Sequence, residues 1–273
     1  MLLKKIYGAP ILLYYKGQEL REKEDSVAIV GTRNFTPYGK SATKRITADL
    51  ESKKMTIVSG LAQGIDTIAH KETVSIGGRT IAVFGSGLDI VYPAENRKLA
   101  DAICERGTLI SEFPLGTKPD RGNFPQRNRI ISSLAHATVV MEAEDRSGAI
   151  LTALNAVDQN RDIFAAPGRI TDKQRIGANR LIQNGAIPVT SGDDVIREIN
   201  PRLFYPVENV QRAIRIELTD QGTIMDNLGH DPVHIDKLAN TVDMNISSLL
   251  QILLKLELKN AVQQIGGKQF VRA

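Results

Sequence analysis

Four bases crowd the segment from Gly116 to Ile131: Lys118, Arg121, Arg127 and Arg129 stand there against the single acid Asp120. Phe124 lies among these bases, in a run interrupted by Pro119, Gly122 and Pro125 that reads as a loop. Guanidinium and ammonium groups suit phosphates, and an aromatic ring beside them suits a nucleobase, so the chemistry offered is binding of a nucleic acid. Arg33 follows the first apolar run directly and would project at the same edge of a sheet. A solvated charged loop and a phenylalanine filling a core gap are the competing readings of the same residues. Lys44, Arg45, Lys53 and Lys54, by contrast, read as an ordinary solvated helix face.

Other chemistries find less support. A dinucleotide or ATP enzyme on an α/β sheet needs glycines that let backbone amides approach a phosphate closely. Gly85-Ser86-Gly87 has the first two glycines of such a fingerprint but Ile90 in place of the third, and no Gly-Lys-Ser or Gly-Lys-Thr occurs. No cofactor is therefore expected. His230 and His234 have metal-site spacing, yet Pro232 between them argues against one continuous helix, and no third ligand is in sight. His70 and His136 are read at helix ends, in capping or solvated roles. The acids Asp66, Asp89, Glu112, Glu142, Glu144 and Asp145 flank the expected cleft without a serine, cysteine or histidine in a recognisable catalytic arrangement. Each is read as a cap or as a partner for an arginine.

The elements that must position these residues show in the hydrophobic pattern. Short apolar runs at Val27–Val30, Thr56–Val58, Thr80–Phe84, Thr108–Ile110, Ala137–Glu142, Asp162–Ala165 and Ile187–Val189 alternate with helical patterns. That alternation predicts a doubly wound parallel sheet. Between the first two runs Ala42, Ile46 and Leu50 recur every four residues, which predicts one sheet-facing side on that helix. Each run ends in glycine or a small polar residue, and ligands of open α/β sheets bind at those carboxyl ends. Beyond residue 200 the pattern changes. Helices over His234–Thr241 and Ile246–Lys259, separated by a turn and followed by a hairpin around Gly266-Gly267, make a winged helix with a two-stranded wing. The expected divisions are a lead-in over 1–24, a sheet domain over 25–200, a linker over 201–215 and the winged helix over 216–273.

Composition bounds the rest. The 273 residues are 42% apolar and 24% charged, as in ordinary globular proteins. No stretch approaches the roughly 20 apolar residues of a membrane span, and MLLKKIYGAP lacks a signal-peptide core, so a cytoplasmic location without membrane contact is the default. The single cysteine, Cys104, rules out an internal disulfide. The net charge of +4 is unevenly placed: residues 216–273 carry seven acids and five bases, which leaves +6 on residues 1–215. A polyanion would therefore meet the larger domain.

At these same residues the chain resembles a known family. VAIVGTRNFTPYG, IVSGLAQGIDTIAH, GSGLDIVYPAENR, LISEFPLGT, NFPQRNRIIS, VVMEAEDRSGAILTA, IFAAPG and IGANRLIQNGA look like the successive signatures of the DprA (Smf) family. They run in order from residue 27 to 186. The resemblance implies an extended Rossmann-like fold followed by a small winged helix, a homodimer, and binding of single-stranded DNA without sequence preference. It further implies loading of the recombinase RecA in natural transformation and recombination, and no catalysis. Carried over by position, Arg33, Ser59, Gly60, Arg121 and Phe124 correspond to DNA contacts, with Gly31, Thr32, Lys118 and Asn128 beside them. Arg127 and Arg129 fall in the motif too, where bonding strand-end carbonyls is an equal reading. Many members carry a helical N-terminal domain, which this chain, starting almost at APILLYYKG, would lack. Arg121 stands where lysine is common, keeping the charge and adding a planar fork of donors.

Two other classes compete. Related Rossmann-like families hydrolyse nucleotides with a glycine-rich loop and a following glutamate, but EDRSGAILTA has no glutamate after its glycine. A winged-helix transcription regulator would read duplex DNA with its second helix, whose polar positions Ser248, Gln251, Lys255 and Lys259 include no arginine. Duplex phosphates remain an open second partner for Lys255, Lys259, Lys268 and Arg272.

Overall fold

The computed structural model describes residues 2–21, 23–199, 220–229, 231–258 and 261–272. The linker expected over 201–215, and His230 and Lys259, lie outside them. The chain forms two compact units, Met1–Phe204 and Tyr205–Ala273.

The first unit is built on an eight-stranded sheet. Its strands are β1 (Tyr14–Gly17), β2 (Ser26–Val30), β3 (Thr56–Ser59), β4 (Thr80–Phe84), β5 (Thr108–Ser111), β6 (Ala137–Val140), β7 (Asp162–Ala165) and β8 (Ile187–Pro188), in the order β1-β5-β4-β3-β2-β6-β7-β8. All neighbours pair in parallel except β1, which runs antiparallel to β5. The order reverses at β2, so the crevice between the carboxyl ends of β2 and β6 is the switch point where ligands of such sheets bind.

Strand periodicity explains why the sheet is covered on both faces. Val27 and Ile29 of β2 join one buried cluster while Ala28 and Val30 join the other. A strand buried on both faces reads as an unbroken apolar run, which is why these strands are visible in the sequence. On one face pack α1 (Pro37–Ser52), α2 (Ile65–Ser75), α3 (Arg97–Arg106) and α7 (Gly192–Ile199); on the other, α4 (Asn123–Ser133), α5 (Gly148–Asp158) and α6 (Ile176–Gln183). Helix α1 starts where it does for two reasons: the Thr36 hydroxyl accepts from Gly39 N at 3.1 Å, and Pro37 occupies the first helical position. Its Ile46 and Leu50 are buried as expected.

Two readings change, and the lead-in, assigned no element from the sequence, gains one. The segment around Phe124 is helical from Asn123, with Pro125 in the first turn, where a missing N–H leaves no intrahelical bond unmade. The tyrosine-rich lead-in is an edge strand, β1. His70, expected at a helix end, is buried within α2 with Nδ1 2.7 Å from Thr80 Oγ1.

The second unit has helical residues at 220–226, then β9 (Val233–His234), helices Ile235–Thr241 and Ile246–Leu258, and a hairpin of β10 (Val262–Ile265) and β11 (Gln269–Arg272). Its sheet has three strands, ordered β10-β11-β9, one more than the expected wing, because Val233 and His234 pair with Phe270 and Gln269. Ile224, Leu238, Leu249, Leu253 and Phe270 fill its core, which makes this a winged helix. Ile246, Leu250 and Leu254 remain exposed. No helix among the described residues is long and apolar enough to cross a membrane.

Candidate nucleic-acid interface

The carboxyl ends of β2, β3, β4 and β6 enclose a cleft holding a cavity of about 330 Å³ lined by Gly31, Thr32, Arg33, Phe124, Arg127 and Asn128 among others. Its floor is set by helix side chains packed directly on the strand-end glycines. A Cβ on Gly31 would lie 2.5 Å from the Ile65 side chain, and one on Gly60 would lie 2.3 Å from the Arg127 guanidinium, so glycine is what lets these two side chains close on the strand ends.

Beneath the cleft sits a buried charged pair. Arg127 donates from Nη1 to Gly60 O at 2.7 Å and to Val83 O, tying the ends of β3 and β4 together. Asp66 accepts from Gly60 N at 3.1 Å. Burial pushes the Asp66 carboxyl up to about 6, with the Arg127 charge opposing. Burial likewise pushes Arg127 down to about 10, opposed by Asp66. Each charge is tolerable in the low-dielectric interior because the other is there. His70, in the same layer, is held down at about 3 by burial, with Arg127 adding to the effect, and stays neutral.

Above this pair the side chains turn to solvent. Phe124 is half-buried and packs over Gly85, while Tyr92, nearly half exposed, meets it at 5.7 Å between ring centroids. The Arg33 guanidinium is 5.8 Å from the Phe124 centroid and that of Arg127 is 5.9 Å. An aromatic edge flanked by cations, one of them solvent-facing, offers a base a stacking surface and a phosphate a counter-charge.

The residues expected from the sequence thus fall into three groups. Gly31, Thr32, Arg33, Phe124, Arg127 and Asn128 line the cavity, and Gly60 lines a small adjoining pocket with Arg33, Tyr92 and Phe124. Lys118 and Arg121 are exposed on the segment entering α4, where the Asp120 carboxylate accepts from Gly122 N at 2.8 Å. The third group serves the scaffold. Ser59 is fully buried and donates to Ile29 O at 2.6 Å, and Arg127 spends its guanidinium on carbonyls. Asn128 donates to Gly148 O at 3.2 Å, while Arg129 is paired with both Glu112 oxygens at 2.6 Å and does not line the cavity. Tyr92 was not foreseen; nothing local marks it, and only folding brings it to Phe124. Among the described residues no group of three or more His, Cys, Asp or Glu is arranged to hold a metal ion.

The family model for DNA recombination-mediator protein A matches residues 1–200, and that for the DprA winged helix domain matches residues 211–268. The chain is 45% identical over 196 residues to DNA processing protein DprA of Streptococcus pneumoniae, covering 72% of this chain and 69% of that one. It is 33% identical over 269 residues to protein Smf of Escherichia coli, covering 94% and 71%. Among solved structures, DNA processing protein A from S. pneumoniae aligns with TM-score 0.70 at 44% identity, over 73% of this chain and 70% of that one. DNA processing protein A from Helicobacter pylori, described for its single-stranded DNA binding mode, aligns with TM-score 0.66 at 30% identity, over 72% and 90%.

Proposed function

Since the chain belongs to the DNA recombination-mediator protein A family, a family of DNA-processing proteins acting in recombination, we propose that its sheet unit binds single-stranded DNA without sequence preference. The observation that carries this reading is the half-buried Phe124 ring at the open switch point, with the Arg33 and Arg127 guanidinium groups 5.8 and 5.9 Å from its centroid. The ring would stack on a base, and every base has such a face. Arg33, Lys118 and Arg121 are exposed and would take phosphates, while Gly31, Thr32 and Gly60 admit the backbone closely. The H. pylori relative's single-stranded DNA binding supports the same assignment.

Binding rather than catalysis is favoured because the buried acid of the cleft, Asp66, accepts from Gly60 N, and His70 Nδ1 is spent on Thr80 Oγ1. Bound to a single strand, the protein would act as a homodimer that helps load RecA. For the dimer, Leu181, Ile182, Ala186 and Ile187 are only partly buried against their own core, leaving apolar surface for a second copy. Light scattering at micromolar concentration tests it, since a specific dimer persists there and the monomer is 29.9 kDa.

The primary experiment compares binding to single strands, duplexes and mononucleotides by fluorescence anisotropy over a salt series. Preference for single strands, with similar affinity across unrelated sequences, is expected. Turnover of a mononucleotide, or tight binding to one duplex sequence alone, would overturn the reading.

A further inference from the structure

Further along the same sheet edge lies a cavity the function above does not use. It measures about 650 Å³ and is lined by Thr36, Pro37, Tyr38, Pro167, Gly168, Arg169, Asp172 and Arg175, of which Tyr38, Pro167 and Arg169 matter most here. Resting on the single-strand reading, we propose that this cavity is a second base-stacking subsite for the same strand, with Tyr38 as its platform and Arg169 as its phosphate partner.

Tyr38 motivates the proposal. Its ring is about half exposed, yet it is rigidly mounted: the Arg175 guanidinium lies 4.1 Å from the ring centroid on one side. Arg175 is itself buried and bound to Glu142 at 2.9 Å, to Thr36 Oγ1 at 3.0 Å and to Asp172 at 3.3 Å. Glu142 is fully buried and also accepts from Thr36 N and Oγ1, at 2.9 and 2.6 Å. A ring fixed on a clamped cation loses little freedom when a base stacks on its open side, which favours binding. Shielding Arg175 from water would require only cover, not an open cavity with proline walls and an exposed arginine at its rim.

Continuity supplies the second argument. Arg33 of the cleft and Tyr38 of this cavity stand on one short segment leaving β2, and Phe35 between them is exposed. Phe124 packs over the end of β4, and Pro167 follows β7, four strands away in the order β4-β3-β2-β6-β7. At the usual interstrand spacing that separation is roughly 19 Å, within the reach of the 4–16 nucleotides a single-strand-binding surface typically covers. A strand anchored at Phe124 would pass Arg33 and Phe35 to arrive at Tyr38.

The test uses the full chain, an oligothymidylate carrying 5-iodouracil for photo-cross-linking with peptide mapping, and anisotropy on an unmodified strand. Cross-links to the Tyr38 peptide as well as to Phe124 or Tyr92 are expected. Tyr38→Ala should weaken binding about tenfold, within the range for one lost stack, whereas Tyr38→Phe binds as the parent does. Should Tyr38→Ala fail to fold, Arg169→Ala, outside the Arg175 clasp, should still lower the salt slope by roughly 0.7. Cross-links confined to Phe124 or Tyr92, with unchanged affinity in Tyr38→Ala or an unchanged slope in Arg169→Ala, would overturn the subsite and leave the primary reading standing. An absence of any single-strand binding by the parent would instead remove both.

Discussion

In the sheet unit, cations meet at a concave edge, where Arg33 stands open beside Phe124 above the buried Arg127–Asp66 pair. The winged-helix unit has a topology widely used for DNA, but its bases Lys237, Lys255, Lys259, Lys268 and Arg272 share residues 216–273 with seven acids. Its other conspicuous surface is the apolar row Ile246, Leu250 and Leu254. A fold's reputation therefore says less about where a polyanion binds than the placement of charge does. The same contrast recurs within helix α4, where Arg127 and Arg129 stand two residues apart and differ in burial and partner.

That inner contrast yields the largest expected effect. Arg127→Ala leaves Gly60 O and Val83 O without their shared donor and removes the positive charge that opposes the burial of the Asp66 carboxylate, so urea denaturation should show a loss of about 3–5 kcal/mol. Arg129→Ala breaks a quarter-exposed pair with Glu112 and should cost at most about 1 kcal/mol. Equal costs would mean that burial does not separate the two arginines.

The layer under the cleft also predicts a pH dependence. His70 is held at about 3 in the folded state against an ordinary 6.5, so its contribution to stability is present above the unfolded value and is lost as pH falls through the folded one. Asp66, raised to about 6 from 3.8, has the opposite sign: its contribution is full below the unfolded value and is lost as pH rises through about 6. Comparing the parent with His70→Leu leaves Asp66 common to both. Going from about pH 7 to about pH 5, the parent should lose about 2 kcal/mol relative to the variant. Parallel pH profiles would place His70 in contact with water.

On the open side of the cleft the effects should appear in binding rather than stability. Phe124→Ala should cost about 1–3 kcal/mol of single-strand affinity, and Arg33→Ala should lower the salt slope by roughly 0.7, both variants remaining folded. If Phe124→Ala instead melts early and binds normally once folded, the ring belongs to the core.

How much of this was visible beforehand follows from how local each signal is. Strands β2 to β6 are apolar runs because both their faces are buried, and a run is a local pattern. β1 is an exposed edge with the burial of a loop, and β9 is two residues long, so neither leaves such a pattern. Pro125 and Gly122 read as breakers, although proline in a first turn breaks nothing. Arg33 and Phe124 were legible as a cation after a strand and an aromatic among bases. The Asp66–Arg127 pair, Tyr92 against Phe124 and Arg175 over Tyr38 join residues far apart in the chain, and only the closed sheet brings them together. Arg129 shows the reverse limit: sequence marks its charge but not the Glu112 that neutralises it.

The smallest expected effect bears most directly on the comparison between the two units. Deleting residues 216–273 should leave single-strand affinity within about threefold of the parent, because counterion release scales with the Lys and Arg contacts, and the deleted segment is −2 against +6 for the remainder. The sheet unit keeps its own two-sided core without that segment. Local charge offers the strongest counter-argument. Lys268 lies in the turn just before β11 and Arg272 ends that strand, both on the hairpin that forms the wing, and a wing can grip phosphates whatever the sign of its unit. The measurement must therefore separate direct loss from loss of a second copy, since a broken dimer would halve the sites on one strand and weaken binding through avidity alone. Light scattering on the truncated chain provides that control. A truncation that keeps the parent's assembly yet loses tenfold or more in single-strand affinity, with a shallower salt slope, would show that the winged helix holds the strand. An unchanged slope would leave the electrostatic contribution with Arg33, Lys118 and Arg121 on the sheet unit, and the apolar row Ile246, Leu250 and Leu254 would then be the feature of the winged helix still requiring a partner.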